Sequence, residues 1–101
     1  LDKATLAQLT RGERMVEILK QNQYVPMDVE HQIAIIYAGS QGILDDIPNE
    51  KIGEFEKGLM DHLDANHEEI LKTISSSGEI SDETGEELKK AIEDFKKGFL
   101  V

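Results

Sequence analysis

NEKIGEFEKGLMDHLDANHEEILKTISSSG, residues 49–78, is the stretch on which the fold turns. Ile52, Phe55, Leu59 and Leu63 recur at i, i+3, i+7 and i+11, which puts them on one face of a helix. Asn49 is placed to cap that helix. The stripe would run on through Ile70 and Ile74, but Asn66 followed three residues later by Glu69 is a capping-box pattern, so two short helices with a break near Ala65 are predicted. Ser75, Ser76, Ser77 and Gly78 then end the second of these, and β-branched alternation is nowhere sustained.

Working outward, the same period marks both ends. Asp2 can cap a first helix running to about Lys20, with Leu6, Leu9, Val16 and Leu19 on a broad face that Met15 and Ile18 widen, so its C-terminal half is expected to be the more buried. Gln21, Asn22, Gln23, Tyr24, Val25 and Pro26 then break the pattern, the residue before a proline being biased away from helix. Asp28 can cap a second helix with Val29, Ile33, Ile36 and Tyr37 on one side and Ile35 on the other, which predicts a central position. Gly39 to Gly42 end it, and residues 42–48 read as a short apolar turn. Ser81 or Asp82 opens a last helix striped by Leu88, Ile92, Phe95 and Phe99. The predicted fold is all-α, a compact, orthogonal or irregular bundle of about five helices rather than a long coiled coil, with residues 1–101 as a single helical domain.

The 101 residues carry 21 acidic and 11 basic side chains, three histidines and no cysteine, for a formal charge of −10. A polypeptide of this length buries an ordinary core without disulfides or a structural metal. Nonspecific nucleic-acid binding needs clustered Lys and Arg, and the acidic excess excludes it. Anionic lipid is disfavoured by the same sign argument. The longest apolar run, residues 33–39, is far too short for a bilayer. The first residue is not Met, which fits a piece of a longer protein.

Catalytic chemistry finds no footing. His62 and His67, five apart, stand about 140° apart on a straight helix and cannot clamp one metal from it; with Asp61, Asp64, Glu68 and Glu69 they read as a solvated rim, His67 nearer the core edge. His31 reads as exposed in the first turn of its helix. Asp45-Asp46 and Glu86-Glu87 are adjacent and point apart, with nothing apolar to raise a pKa. The serine run has no histidine at a fixed spacing, and Gly39-Ser40-Gln41-Gly42 lacks the lysine of a phosphate cradle. No Asp-Ser-Leu triplet is present to carry an acyl carrier's prosthetic group. From the residues alone, a free-standing acidic helical interaction module remains the reading.

A set of short motifs resembles a known family. Leu1-Asp2-Lys3-Ala4-Thr5, Arg11-Gly12, Val16-Glu17-Ile18-Leu19-Lys20-Gln21-Asn22-Gln23-Tyr24-Val25-Pro26, Ile36-Tyr37-Ala38-Gly39, Gly42-Ile43-Leu44-Asp45 and Phe95-Lys96-Lys97-Gly98-Phe99 are similar, in order and spacing, to the C-terminal domain of the alpha subunit of F-type ATP synthases. Each motif is weak alone, but the ordered set spans the whole length and is specific. Leu6, Ile43, Gly53 and Gly58 depart from the family pattern, and each of the two glycines costs about 1 kcal/mol of helix propensity relative to Ala.

The resemblance implies a helical domain at the membrane-proximal end of an alternating alpha–beta ring around a rotating stalk, within a complex that couples ATP synthesis to proton transport. Beta subunits and the gamma stalk are its implied partners. The implied location is peripheral, on the cytoplasmic side of a bacterial inner membrane or its organelle equivalent, with no direct membrane insertion. No catalytic residue and no metal ligand are expected here; ATP or ADP with Mg belongs to the intact alpha subunit. Gln21 and Gln23 match family positions lining the adenine side of the noncatalytic nucleotide site, where a carboxamide offers both a donor and an acceptor. By itself the 101-residue domain is expected to be monomeric and helical, and neither to bind nor to hydrolyse ATP. A phosphate-binding loop encoded upstream in the same reading frame would separate this reading from the free-standing module.

Overall fold

A computed structural model describes residues 1–100. Five α-helices follow one another among these residues, without a strand: α1 (Lys3–Tyr24), α2 (Val29–Ser40), α3 (Ile52–Asn66), α4 (Glu68–Ser77) and α5 (Asp82–Phe99), with a short 3-10 turn at Asn49–Lys51. The all-α bundle expected from the sequence is what forms. A radius of gyration of 13.2 Å and extents of 41 × 29 × 27 Å exclude a long coiled coil.

Local chemistry accounts for the boundaries. Asp2 caps α1, its Oδ1 accepting from Thr5 N–H at 2.7 Å, and Ser81 caps α5, accepting from Thr84 N–H at 3.2 Å. Gly78 closes α4 with φ +71°, in the left-handed region. α1 runs on past Lys20 to Tyr24, because nothing before Val25 disfavours helix. Neither Asp28 nor Asn49 caps its helix through the side group. The two short helices form as expected, with the break at His67 (φ −135°, ψ 39°), two residues past Ala65, but Asn66 does not cap α4 and instead donates back to the His62 carbonyl at 3.2 Å.

The buried apolar residues form one cluster. α3 contributes Ile52, Phe55, Leu59 and Leu63, the expected face, together with Met60, and it packs on α1, α4 and α5. α2 also touches α1, α4 and α5, in the central position expected of a helix apolar on both sides; Ala34, Ile35, Ala38 and Gly39 form its deepest side, and of the predicted stripe Ile33 and Tyr37 pack half-buried against the core. Val29 and Ile36 are exposed. Small residues win that interface because they admit a close neighbour: a Cβ on Gly39 would lie 2.6 Å from Met15 Sδ and 2.9 Å from Ile18 Cδ1. In α1, Ile18 is the buried residue, with Met15 half-buried, while Leu6, Leu9, Val16 and Leu19 face outward.

In α5, Thr84, Gly85, Leu88, Ala91 and Ile92 are buried, and Phe95 and Phe99 are half-buried, with ring centroids 5.3 and 5.1 Å from that of Phe55. Gly58 makes room for this: a Cβ there would stand 2.8 Å from Phe95 Cζ. Gly53 does the same for the Gln21 amide, at 2.9 Å from its Oε1. Helix propensity is lost at both glycines, and interhelical contact is gained.

The apolar turn folds inward on Ile43, Leu44 and Ile47, all buried, after Gly42 turns the backbone with φ +79°. Three cations tie its polar backbone down. Arg14 Nε donates to the Ile47 carbonyl at 2.7 Å, Arg11 pairs with Asp45 at 3.1 Å, and Lys96 Nζ reaches the Ile43 carbonyl at 3.0 Å and Asp46 at 2.9 Å. Asn49, instead of capping α3, accepts from Arg14 at 3.4 Å and donates to Glu17 at 3.3 Å. Motifs far apart in sequence, Arg11-Gly12, Gly42 to Asp45 and Phe95-Lys96, thus meet at one loop.

Candidate functional site

The C-terminal end of α1 carries both candidate glutamines. Two residues apart on a continuous helix, Gln21 and Gln23 point about 160° away from each other. Gln21 is half-buried and turned inward, its Nε2 donating to Glu17 Oε2 at 3.0 Å. Glu17 is shared with Asn49 and with Lys20, whose Nζ lies 3.8 Å away. Gln23 is exposed and unencumbered by such a network. It stands four residues after Leu19 and seven after Val16, so it continues the outward stripe of Leu9, Val16 and Leu19, which are 53%, 58% and 58% exposed. Gly12 lies on the same side, with nothing within 4 Å of where its Cβ would be. The stripe is therefore a flat apolar face ending in an amide, with the exposed Tyr24 and Val25 just beyond.

Behind the opposite side of α1 lies a cleft of about 530 Å³ between the α1–α2 connection and α3, walled by Gln21, Val25, Pro26, Met27, Met60 and Glu56 among others. Glu56 is 3% exposed, and neither of its carboxylate oxygens has a hydrogen-bond partner. Burial pushes its pKa up to about 7. Reasoning from apolar periodicity misses this residue although a signal is present. Glu56 stands four after Ile52, three before Leu59 and seven before Leu63, inside the apolar face rather than beside it.

His67 is half-buried at the core edge as expected, while His31 and His62 are placed differently. His31 is half-buried, with Nε2 2.7 Å from Asp64 Oδ1 and Nδ1 3.9 Å from Asp28 Oδ2. It therefore ties the start of α2 to α3. His62 and His67, which a straight helix would hold apart, lie with ring centroids 5.3 Å apart because the backbone turns at His67, and His62 also packs on Phe95 at 5.4 Å. Asp28, Glu30 and His31 bring one ligand atom each within 4.8 Å of one another, with Asp28 exposed, the other two half-buried and the imidazole already held by Asp64. No helix among the described residues is long and apolar enough to cross a membrane.

Comparison with known proteins fits this architecture. Residues 1–95 match the family model of the ATP synthase alpha/beta chain, C terminal domain. Over all 101 residues the protein is 52% identical to ATP synthase subunit alpha of Syntrophomonas wolfei subsp. wolfei (strain DSM 2245B / Goettingen), covering 20% of that relative's length. With nearly its whole length accounted for by one model, this polypeptide belongs to the family of C-terminal domains of ATP synthase alpha and beta subunits.

Proposed function

We propose that this polypeptide serves as the C-terminal helical domain of an ATP synthase alpha subunit, packed against neighbouring parts of that assembly through the outer face of α1. The exposed stripe Leu9, Val16, Leu19 and Gln23 carries this reading. Exposed apolar side chains grouped on one face mark a surface that another polypeptide covers, and the family relationship supplies the assembly that does so. Beta subunits and the central stalk are the neighbours the family relationship suggests, in a complex peripheral to a membrane, where the parent complex and not this domain performs ATP synthesis. The domain's own part is structural and noncatalytic. A block with one well-packed core transmits strain with little compliance, which suits a stationary element beside moving ones.

The second element is the adenine side of a noncatalytic nucleotide site. Gln23 fits it as it stands. Its amide is accessible, can both donate to and accept from an adenine edge, and adjoins apolar surface on which a purine ring can lie. Gln21 fits only after releasing Glu17, so its contribution is the smaller of the two. ATP or ADP with Mg supplies the base and the phosphates; the side chains in this region address the base. In the assembled complex, Gln23→Ala should lower the noncatalytic nucleotide retained through gel filtration more than Gln21→Ala does. Equal and undiminished nucleotide content in both variants removes both residues from the site.

A further inference from the structure

We propose that the cleft between the α1–α2 connection and α3 receives an arginine side chain of a neighbouring polypeptide, with Glu56 as its buried counter-charge. Folded proteins rarely leave a buried polar group unpartnered, yet both Glu56 oxygens are, in a residue that is only 3% exposed. Two free oxygens on one carboxylate match the planar fork of a guanidinium, which donates two parallel hydrogen bonds. Glu56 helps to wall a cleft of about 530 Å³, enough for such a group with its stem, and a shift of its side chain toward that space brings the two oxygens, closed to solvent here, to the guanidinium. Val25, Pro26, Met27 and Met60 supply apolar wall for the methylenes, in the way long basic side chains bury their stems.

Charge points the same way. Asp28 and Asp61 stand with Glu56 on the wall, against Lys57 and His31, in a protein of net charge −10. Such a field favours a basic partner. A polypeptide source, rather than a small amine, follows from the surroundings: Tyr24, Val25 and Val29 are exposed around this connection and offer apolar contact to a surface larger than the cleft. Without the guanidinium, the buried carboxyl takes up a proton instead. This inference rests on Glu56 and not on the nucleotide-site reading, whose main residue, Gln23, lies on the other side of α1, although Gln21 walls the cleft as well.

The test is a titration of the 101-residue protein with Nα-acetyl-arginine N-methylamide, followed by amide NMR shifts at about pH 8, above the raised Glu56 pKa. Saturable shifts at Gly53, Lys57 and Met60 are expected. The citrulline analogue, neutral and of the same shape, should bind about tenfold more weakly, as should the arginine probe with Glu56→Gln, the loss of one charge-assisted contact. Absent shifts, equal affinity for citrulline, or unchanged affinity in the Glu56→Gln variant each overturn the proposal. Guanidinium ion binding as tightly as the arginine probe would assign the cleft to a free small cation and overturn it too. The citrulline comparison uses the unaltered protein, so it decides even if the variant unfolds.

Discussion

Along α5 the apolar residues Leu88, Ala91 and Ile92 lie inside the bundle, whereas along α1 Leu6, Leu9, Val16 and Leu19 lie outside it, though both helices space such residues at the helical period. α5 is held by burial. α1 is held by Ile18, by half-buried Met15 and by the arginines that reach across to the 41–48 loop. An amphipathic stripe states that a face will be covered; what covers it is decided by the rest of the assembly. In α5 the cover is α3, α4 and α2, and in α1 none of the described residues supplies it.

The sharpest way to break the comparison is truncation on α5. Leu88→Ala or Ile92→Ala should cost about 2–5 kcal/mol in urea denaturation, since both residues are fully buried. The next effect concerns α3. Glu56 has its folded pKa raised from 4.5 to about 7, so its contribution is fully present below about pH 4.5 and is lost as pH rises through 7. That loss, up to about 3 kcal/mol between those limits, should vanish from the pH profile of unfolding free energy in Glu56→Gln. A profile identical to that of the unaltered protein would mean that the carboxyl is already paired.

Arg14→Ala should cost about 1.5–3 kcal/mol by thermal or urea unfolding, because it frees the Ile47 carbonyl and Asn49 at once. It tests whether α1 is attached by polar clamps rather than by its own apolar residues. The smallest effect completes the contrast: Leu9→Ser and Val16→Ser should each change the stability of the isolated domain by about 0.5 kcal/mol or less. The same pair should reduce recovery of assembled ATP synthase on affinity purification. A large loss of stability in the isolated domain would show that the stripe is internal after all.

Much of the fold is legible in the sequence where a single local rule governs. Ile52, Phe55, Leu59 and Leu63 announce α3 and its buried face, and Asp2 and Ser81 announce their caps. Legibility fails where geometry between helices decides. Ala34, Ala38 and Gly39 are buried because they are small, while larger Val29 and Ile36 stay outside, and a reading weighted by apolar bulk passes over those small residues although it finds Ile35, Ile33 and Tyr37. Asn49 has the chemistry of a cap but is taken by Arg14 and Glu17, more than thirty residues away in sequence. The candidate site is legible in part. Resemblance singles out Gln21 and Gln23 as a pair, yet whether two neighbouring side chains converge depends on where α1 ends, and its run to Tyr24 turns them apart.

The close approach of α1 to α2 carries a chemical liability. Met15 Sδ sits over Gly39, in a gap that a single added carbon could not share. Oxidation to the sulfoxide would place an oxygen on that sulfur, bulky and polar where the contact is tight and apolar. The flexible, half-buried side chain would turn that oxygen toward solvent, withdrawing the sulfur from the joint on which α1 displays its outer face. Oxidative ageing of one methionine would thus register as a change in how this domain meets its surroundings, and methionine sulfoxide reductase would reverse it.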